Sequence, residues 1–308
     1  MFVSVMGYLK YIKKNLMTKI KNIKEIGTYS DILLFSWELT DYCNYNCSYC
    51  YAKDFNKQSF TSENKSWKMV LARLKTLDTK FKIELLGGEP TLHPEIFAII
   101  KKLNCIKNCI DIQLITNLSK SIQFFKKLDI LENNKLTINA SYHYEYDGFY
   151  EKCLKFNNFK YIKFRVTVNV GSDESYWNKI LKILNNKNIH TTINILYSTP
   201  DNNIKYNKNI YTYFSDYLHY DNLVPVTYID NKESKIEIYD VFQDSANFTE
   251  FKCTPLEYTI TMYGEILNAC TRVKTSLKLT KENMIKSVIC PLNKCKCNDY
   301  IEFKKVRI

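Results

Sequence analysis

Between residues 32 and 198 the chain alternates without a break between strand-length segments and segments with helical apolar spacing, and no other feature limits its fold as strongly. The apolar run "ILLFSWEL" (32–39) opens the series, "SWKMVLARLKTL" (66–77) places apolar residues at helical intervals, and "FKIELLG" (81–87) is again strand-like. "EIFAIIKKL", "SIQFFKKLDIL", "GFYEKCLKF" and "SYWNKILKIL" then read as helices. Between them, "IDIQLIT", "KLTINASY", "YIKFRVTVNV" and finally "HTTINILYS" (190–198) read as strands, bringing the count to six. This order predicts an α/β architecture: a parallel sheet with helices outside it, curved into a full or partial barrel. Barrels of this kind carry their chemistry on the loops that follow the strands, at the C-terminal end of the sheet.

At 308 residues and 45% hydrophobic content, the chain can bury the core of one large domain with a small appendage. The apolar residues of "MFVSVMGYLKYIKKNLMTKIKNIKEI" are broken by lysines and lead to no small-residue cleavage site. No run approaches the roughly 18 apolar residues of a membrane-spanning helix. The eleven cysteines therefore read as cytosolic thiols and metal ligands, and a reducing, cytoplasmic setting is expected. The formal charge of +12 invites a nucleic-acid partner, yet the lysines are scattered rather than gathered in blocks. Abundant Lys, Asn, Ile and Tyr beside only seven Gly and six Pro is the bias of AT-rich coding, so nucleic acid is not the favoured partner. Lys10, Lys13, Lys14, Lys19 and Lys21 among Leu9, Ile12, Leu16 and Ile20 suggest an amphipathic helix packed on its own domain.

Directly after the first strand, "WELTDYCNYNCSYCYA" places Cys43, Cys47 and Cys50 inside eight positions, in a loop of about fifteen residues, longer than most such connections. Three thiolates fit neither a closed tetrahedral zinc site, which takes four protein ligands, nor a disulfide framework, which takes an even number. The second strand runs into "GGEPTLHP" (87–94). Gly87 and Gly88 let a backbone approach a ligand without side-chain obstruction, and Glu89 follows them with a carboxylate at the mouth of the sheet. Alone, the segment is equally a tight turn with a solvated Glu; here it lies one strand from the cysteine loop.

The Cys-x-x-x-Cys-x-x-Cys loop, the Gly-Gly-Glu-Pro and the six alternating units together resemble the radical S-adenosylmethionine (radical SAM) enzymes, over roughly residues 33 to 200. The resemblance implies a partial (β/α)6 TIM-like barrel with a 4Fe-4S cluster held by Cys43, Cys47 and Cys50, since such clusters are held by Cys thiolates. It leaves one iron to be chelated by the amino and carboxylate groups of S-adenosylmethionine. It also places Tyr49 near the adenine, and Gly87, Gly88 and Glu89 at the methionyl amino group. Asn117 in "LITN" and Ser141 in "NASYH" match positions that often contact ribose or carboxylate; a turn Asn and a backbone-bonding Ser are their plainer readings. The implied reaction is reductive cleavage to a 5′-deoxyadenosyl radical that abstracts hydrogen from a peptide or small metabolite, with a reductant such as flavodoxin or ferredoxin. His143 and Glu145, just beyond the fourth strand, read as structural or solvated, because sequence identifies no partner for either.

Beyond residue 200 the alternation stops. "DNNIKYNKN" is a polar connection, and "VPVTYIDNKESKIEIYDV" predicts two short strands around a turn. "CTPLEYTITMYGEILNAC" has the form cysteine, strand, Gly turn, strand, cysteine, which would bring Cys253 and Cys270 together across a hairpin. "CPLNKCKC" adds Cys290, Cys295 and Cys297. This resembles the auxiliary-cluster extensions called SPASM or twitch domains, although the spacing from Gly264 to Cys270 is one residue longer than usual. Five thiolates suffice for one further iron–sulfur cluster, and zinc is the rival occupant. The expected organisation is a basic segment at 1–30, the barrel at 31–200, a connecting region at 201–244 and a cysteine-rich extension at 245–308. Cys105, Cys109 and Cys153 are expected as buried free thiols in or beside helices. Competing with a radical enzyme on peptide or metabolite are an RNA-modifying radical enzyme, a non-catalytic iron–sulfur or zinc sensor, and a zinc-only nucleic-acid module.

Overall fold

A computed structural model describes residues 22–50, 66–131, 134–156, 159–170, 174–186, 189–195, 223–237, 248–268, 270–276, 278–290 and 304–308. The basic helix expected before residue 22, the connection at 201–209, and Cys295 and Cys297 lie outside the described residues.

Strand β1 (Ile23–Ile26) precedes the barrel. All six expected strands follow: β2 (Leu33–Thr40), β3 (Phe81–Gly87), β4 (Cys109–Thr116), β5 (Leu136–Tyr142), β6 (Lys163–Val170) and β7 (Thr191–Ile195). Each pairs in parallel with the next, in sequence order, so the sheet is the predicted α/β array. Helices α1 (Ser66–Leu74), α2 (Ile96–Asn104), α3 (Ile122–Asp129), α4 (Phe149–Cys153) and α5 (Glu174–Asn185) fall in the intervening segments. The two-residue period of a strand explains the layering. In β2, Leu33, Phe35, Trp37 and Leu39 are buried in one core with Val70 and Leu74 of α1 and Ile99, Ile100 and Leu103 of α2. Burying each such large apolar side chain is worth about 1.5–3 kcal/mol. Polar residues occupy intervening strand positions, and some of them bond across strands: Thr167 Oγ1 donates to Asn139 Oδ1 at 2.7 Å and lies 3.2 Å from Thr192 Oγ1.

The expected strand pair after residue 222 forms as β8 (Leu223–Tyr228) and β9 (Glu233–Glu237), antiparallel. After β10 (Phe251–Cys253), the cysteine-flanked hairpin forms as β11 (Glu257–Ile260) and β12 (Ile266–Asn268), with Gly264 at φ +82 in its turn. The hairpin joins the barrel sheet, because β11 pairs in parallel with β2, Tyr258 opposite Phe35. Strands β13 (Val288–Ile289) and β14 (Lys305–Arg307) complete a second, six-stranded sheet in the order β13-β10-β14-β1-β8-β9. Its core is Ile23, Ile26, Val224, Val226, Phe248, Phe251 and Cys290. One expectation is corrected: Cys105 is exposed, since it caps the C-terminus of α2 one residue past the buried face, and Cys109 opens a strand rather than ending a helix. Cys109 and Cys153 are buried.

Candidate active site

The cysteine loop leaves the end of β2 and runs beside the turn that ends β3. Gly88 N–H donates to Thr40 O at 2.7 Å and Glu89 N–H to Tyr42 O at 2.8 Å, so the two segments are stitched together immediately before Cys43. This contact accounts for both glycines. A Cβ on Gly87, which sits at φ +135, would lie 2.2 Å from Thr40 O, and one on Gly88 would lie 2.2 Å from Tyr42 O.

Glu89 is 1% exposed and its carboxylate is met by four internal donors. Oε1 accepts from Thr91 N at 3.0 Å, Thr91 Oγ1 at 2.5 Å and Thr116 Oγ1 at 2.7 Å, and Oε2 accepts from Asn117 N at 2.7 Å. Burial pushes its carboxyl above the usual range, and these donors oppose the shift. Glu89 thus ties the ends of β3 and β4 together. Asn117 extends the tie to the cysteine loop: its Nδ2 donates to Asn44 Oδ1 at 3.1 Å and lies 3.9 Å from Cys43 Sγ. Ser141 stands two residues before His143, half-buried, opposite Thr167 of β6.

The loop following β5 closes on the cysteine loop from the other side. His143 Nδ1 lies 3.3 Å from Cys47 Sγ and 2.8 Å from the Tyr49 hydroxyl. Glu145 accepts from Ser48 N at 2.9 and 3.2 Å, and the Tyr146 hydroxyl accepts from Asn46 N at 2.5 Å. Tyr45 stacks on Tyr146 with centroids 3.6 Å apart and rings within 3° of parallel, and Tyr49 stacks on Tyr144 at 5.1 Å. Burial pushes the Cys47 thiol up to about 11, holds His143 down at about 4 and raises the Tyr49 phenol. The partners of His143 and Glu145 lie about a hundred residues upstream, which is why sequence could not name them. Tyr45, Tyr146, Thr91 and Thr116 are contributors that sequence reasoning missed. The polar residues at strand ends were the available signal for Thr91 and Thr116; no signal marked the two tyrosines.

Three soft thiol donors on one loop at the C-terminal end of the sheet suit an iron–sulfur cluster by donor chemistry, and three leave an iron open. Among the described residues no group of three or more His, Cys, Asp or Glu side chains is gathered closely enough to hold a metal ion. Cys47 is buried and Cys43 and Cys50 half-buried. Of the C-terminal thiols, Cys253 and Cys290 are buried on adjoining strands of the second sheet, with Cys290 N–H donating to Phe251 O at 3.0 Å. Cys270 follows β12, half-buried, its N–H bonded to Asn268 Oδ1 at 3.1 Å. The two cysteines that flank the hairpin are thus carried by different sheets.

The family model of the radical SAM superfamily matches residues 37–205, more than half of the chain. The chain belongs to the radical SAM superfamily. Among curated relatives, the GTP 3′,8-cyclase of Mannheimia succiniciproducens is 30% identical over 126 residues, which is 36% of this chain and 37% of the cyclase. An S-adenosylmethionine-dependent nucleotide dehydratase of Fibrobacter sp. is 29% identical over 92 residues, 28% of this chain and 27% of that protein. The chain therefore spans little more than a third of the curated relatives it matches. Among solved structures, Streptococcus suis SuiB bound to S-adenosylmethionine superposes with a TM-score of 0.57 at 15% identity, covering 80% of this chain and 63% of SuiB. The radical SAM protein anSMEcpe with bound AdoMet gives 0.51 at 18% identity, covering 77% of this chain and 74% of that one. At these identities the likeness is one of fold. No helix among the described residues is long and apolar enough to cross a membrane.

Proposed function

We propose that the chain is a radical SAM enzyme that cleaves S-adenosylmethionine reductively and abstracts hydrogen from a peptide or small metabolite. The observation that carries the reading is the stitching of the Gly87-Gly88-Glu89 turn to the root of the Cys43–Cys50 loop at the C-terminal end of the barrel. Cys43, Cys47 and Cys50 would hold a 4Fe-4S cluster. Cluster and S-adenosylmethionine together supply a 5′-deoxyadenosyl radical that takes a hydrogen atom from the substrate. The chain's own part is to bind, orient and keep water out. Gly87 and Gly88 offer backbone to the methionyl group, while Glu89, Asn117 and Ser141 frame it. Tyr49, held on His143 and Tyr144, forms an aromatic wall suited to adenine. SuiB, a structural neighbour, has been solved with its precursor peptide SuiA, which supports a peptide substrate; the curated cyclase and dehydratase relatives support a nucleotide-like metabolite. A small reductant of the flavodoxin or ferredoxin kind would supply the electron. We assign residues 245–308 as a SPASM- or twitch-like extension in which Cys253, Cys270, Cys290, Cys295 and Cys297 provide the ligands of a second iron–sulfur cluster, with zinc as the alternative.

Anaerobically reconstituted and reduced protein given S-adenosylmethionine should release 5′-deoxyadenosine and methionine, faster when a substrate places a hydrogen donor beside the radical. Replacing Cys43, Cys47 and Cys50 together with Ala should abolish this. Binding of S-adenosylmethionine without cleavage under strong reduction would overturn the proposal.

A further inference from the structure

We propose that residues 143–146 form a latch that positions the cysteine loop, with Glu145 and His143 as its positioning residues. The loop's own sequence offers little to hold it, and backbone amides of a surface loop are ordinarily left to water. Here three consecutive residues are gripped from one distant segment. Asn46 and Ser48 give their N–H groups to Tyr146 and Glu145, and between them Cys47, the one buried thiol of the three, meets His143. The flanking rings close the grip on both sides, Tyr45 on Tyr146 and Tyr49 on Tyr144. No local turn chemistry joins residues about a hundred positions apart, so the arrangement belongs to the fold.

The latch has a fixed base. Phe149, buried at the start of α4, packs edge-on against Tyr142 at 5.1 Å, and Tyr144 meets Trp177 of α5 at 5.7 Å, a residue only 3% exposed. A loop held by rigid elements needs less ordering when its ligand arrives, and outer contacts of this kind orient the residues that bind a metal directly. Glu145 is itself exposed, so its replacement leaves the core intact. A Gln at 145 removes the charge and keeps an oxygen to accept from Ser48 N–H, which separates hydrogen bonding from electrostatics.

The first measurement uses the metal-free full chain: the rate at which iodoacetamide alkylates Cys47, read by peptide mass spectrometry. Glu145→Ala and His143→Phe should each accelerate it about tenfold, in line with the 10- to 100-fold effects of removing such outer contacts, while Glu145→Gln stays within about twofold of the native chain. Equal rates in Glu145→Ala and the native chain overturn the latch. So does a Gln variant as fast as the Ala variant, because charge alone would then explain the effect. The second measurement rests on the cluster reading above and follows iron loss from reconstituted protein to a chelator, expected about tenfold faster in Glu145→Ala than in Glu145→Gln. If the native chain takes up no iron through its three cysteines, the cluster reading fails, and the alkylation rates still decide the latch.

Discussion

Gly88 and Glu89 show how much of the site is decided atom by atom. A Cβ on Gly88 would press on the carbonyl of Tyr42, which is backbone and cannot rotate away. Gly88→Ala should therefore cost about 1–3 kcal/mol, the usual range for overpacking, and displace the root of the cysteine loop. A urea midpoint equal to that of the native chain would contradict this. Glu89→Gln places an NH2 group against donors from Thr91, Thr116 and Asn117, so a loss of about 1–3 kcal/mol is expected from the unsatisfied pair. The sequence displayed both residues in one motif, yet it could not say that the glycines are required by contact with Thr40 and Tyr42, or that the carboxylate turns inward. His93 carries a pH signature. Burial holds its pKa down at about 4, below the unfolded value near 6.5, so the unfolded chain binds the extra proton between those values. The stability tied to neutral His93 is present above pH 6.5 and falls as the pH drops towards 4. Urea titrations at stepped pH should show a shallower fall in His93→Gln than in the native chain, the remainder belonging to groups such as His143.

Among the elements, the barrel strands were legible because each is an apolar run of the right length between helices that bury a matching face. The parallel docking of β11 on β2 was not. A hairpin's sequence specifies its own turn, here Gly264, but nothing in it names the sheet edge that it will join. Arg73 of α1 holds the hairpin region to the barrel, donating to Thr275 Oγ1 and Ser276 O at 2.8 Å each and to Gly264 O at 3.4 Å. Hydrogen bonds from a charged group contribute about 1.5–3 kcal/mol, so Arg73→Met should loosen this docking while leaving the six barrel strands paired. Hydrogen exchange should quicken at amides of 257–268 and remain slow in β3 to β5. Uniform acceleration over the whole barrel would show that the hairpin is not a separable layer.

The whole molecule is two sheets, and the second is assembled from the beginning, middle and end of the described chain. Such pairings lie hundreds of residues apart, so local sequence carries almost no sign of them; β1 was legible only as part of a basic segment. Val306 sits where this sheet can be cut, because it pairs with Glu25 on one side and Lys252 on the other. Proline there removes a ladder donor from an interior strand, where proline is essentially not found. The same strand supports the C-terminal thiols. Cys253 lies opposite Lys305 on one side and Val288 on the other, and the register puts Cys290 on the same face as Cys253, both buried while Lys252 and Ile289 are exposed. If these two thiols serve an auxiliary metal, Val306→Pro should release it by separating β10 from β1. The cysteine loop is built on β2, β3 and β5 of the other sheet and should keep its own cluster. Metal and sulfide analysis of the variant should then show loss of the C-terminal complement alone, with the electron paramagnetic resonance signal of the remaining cluster still responding to S-adenosylmethionine. A variant that keeps every metal ion despite a measurably weakened second sheet would remove Cys253 and Cys290 from the auxiliary site.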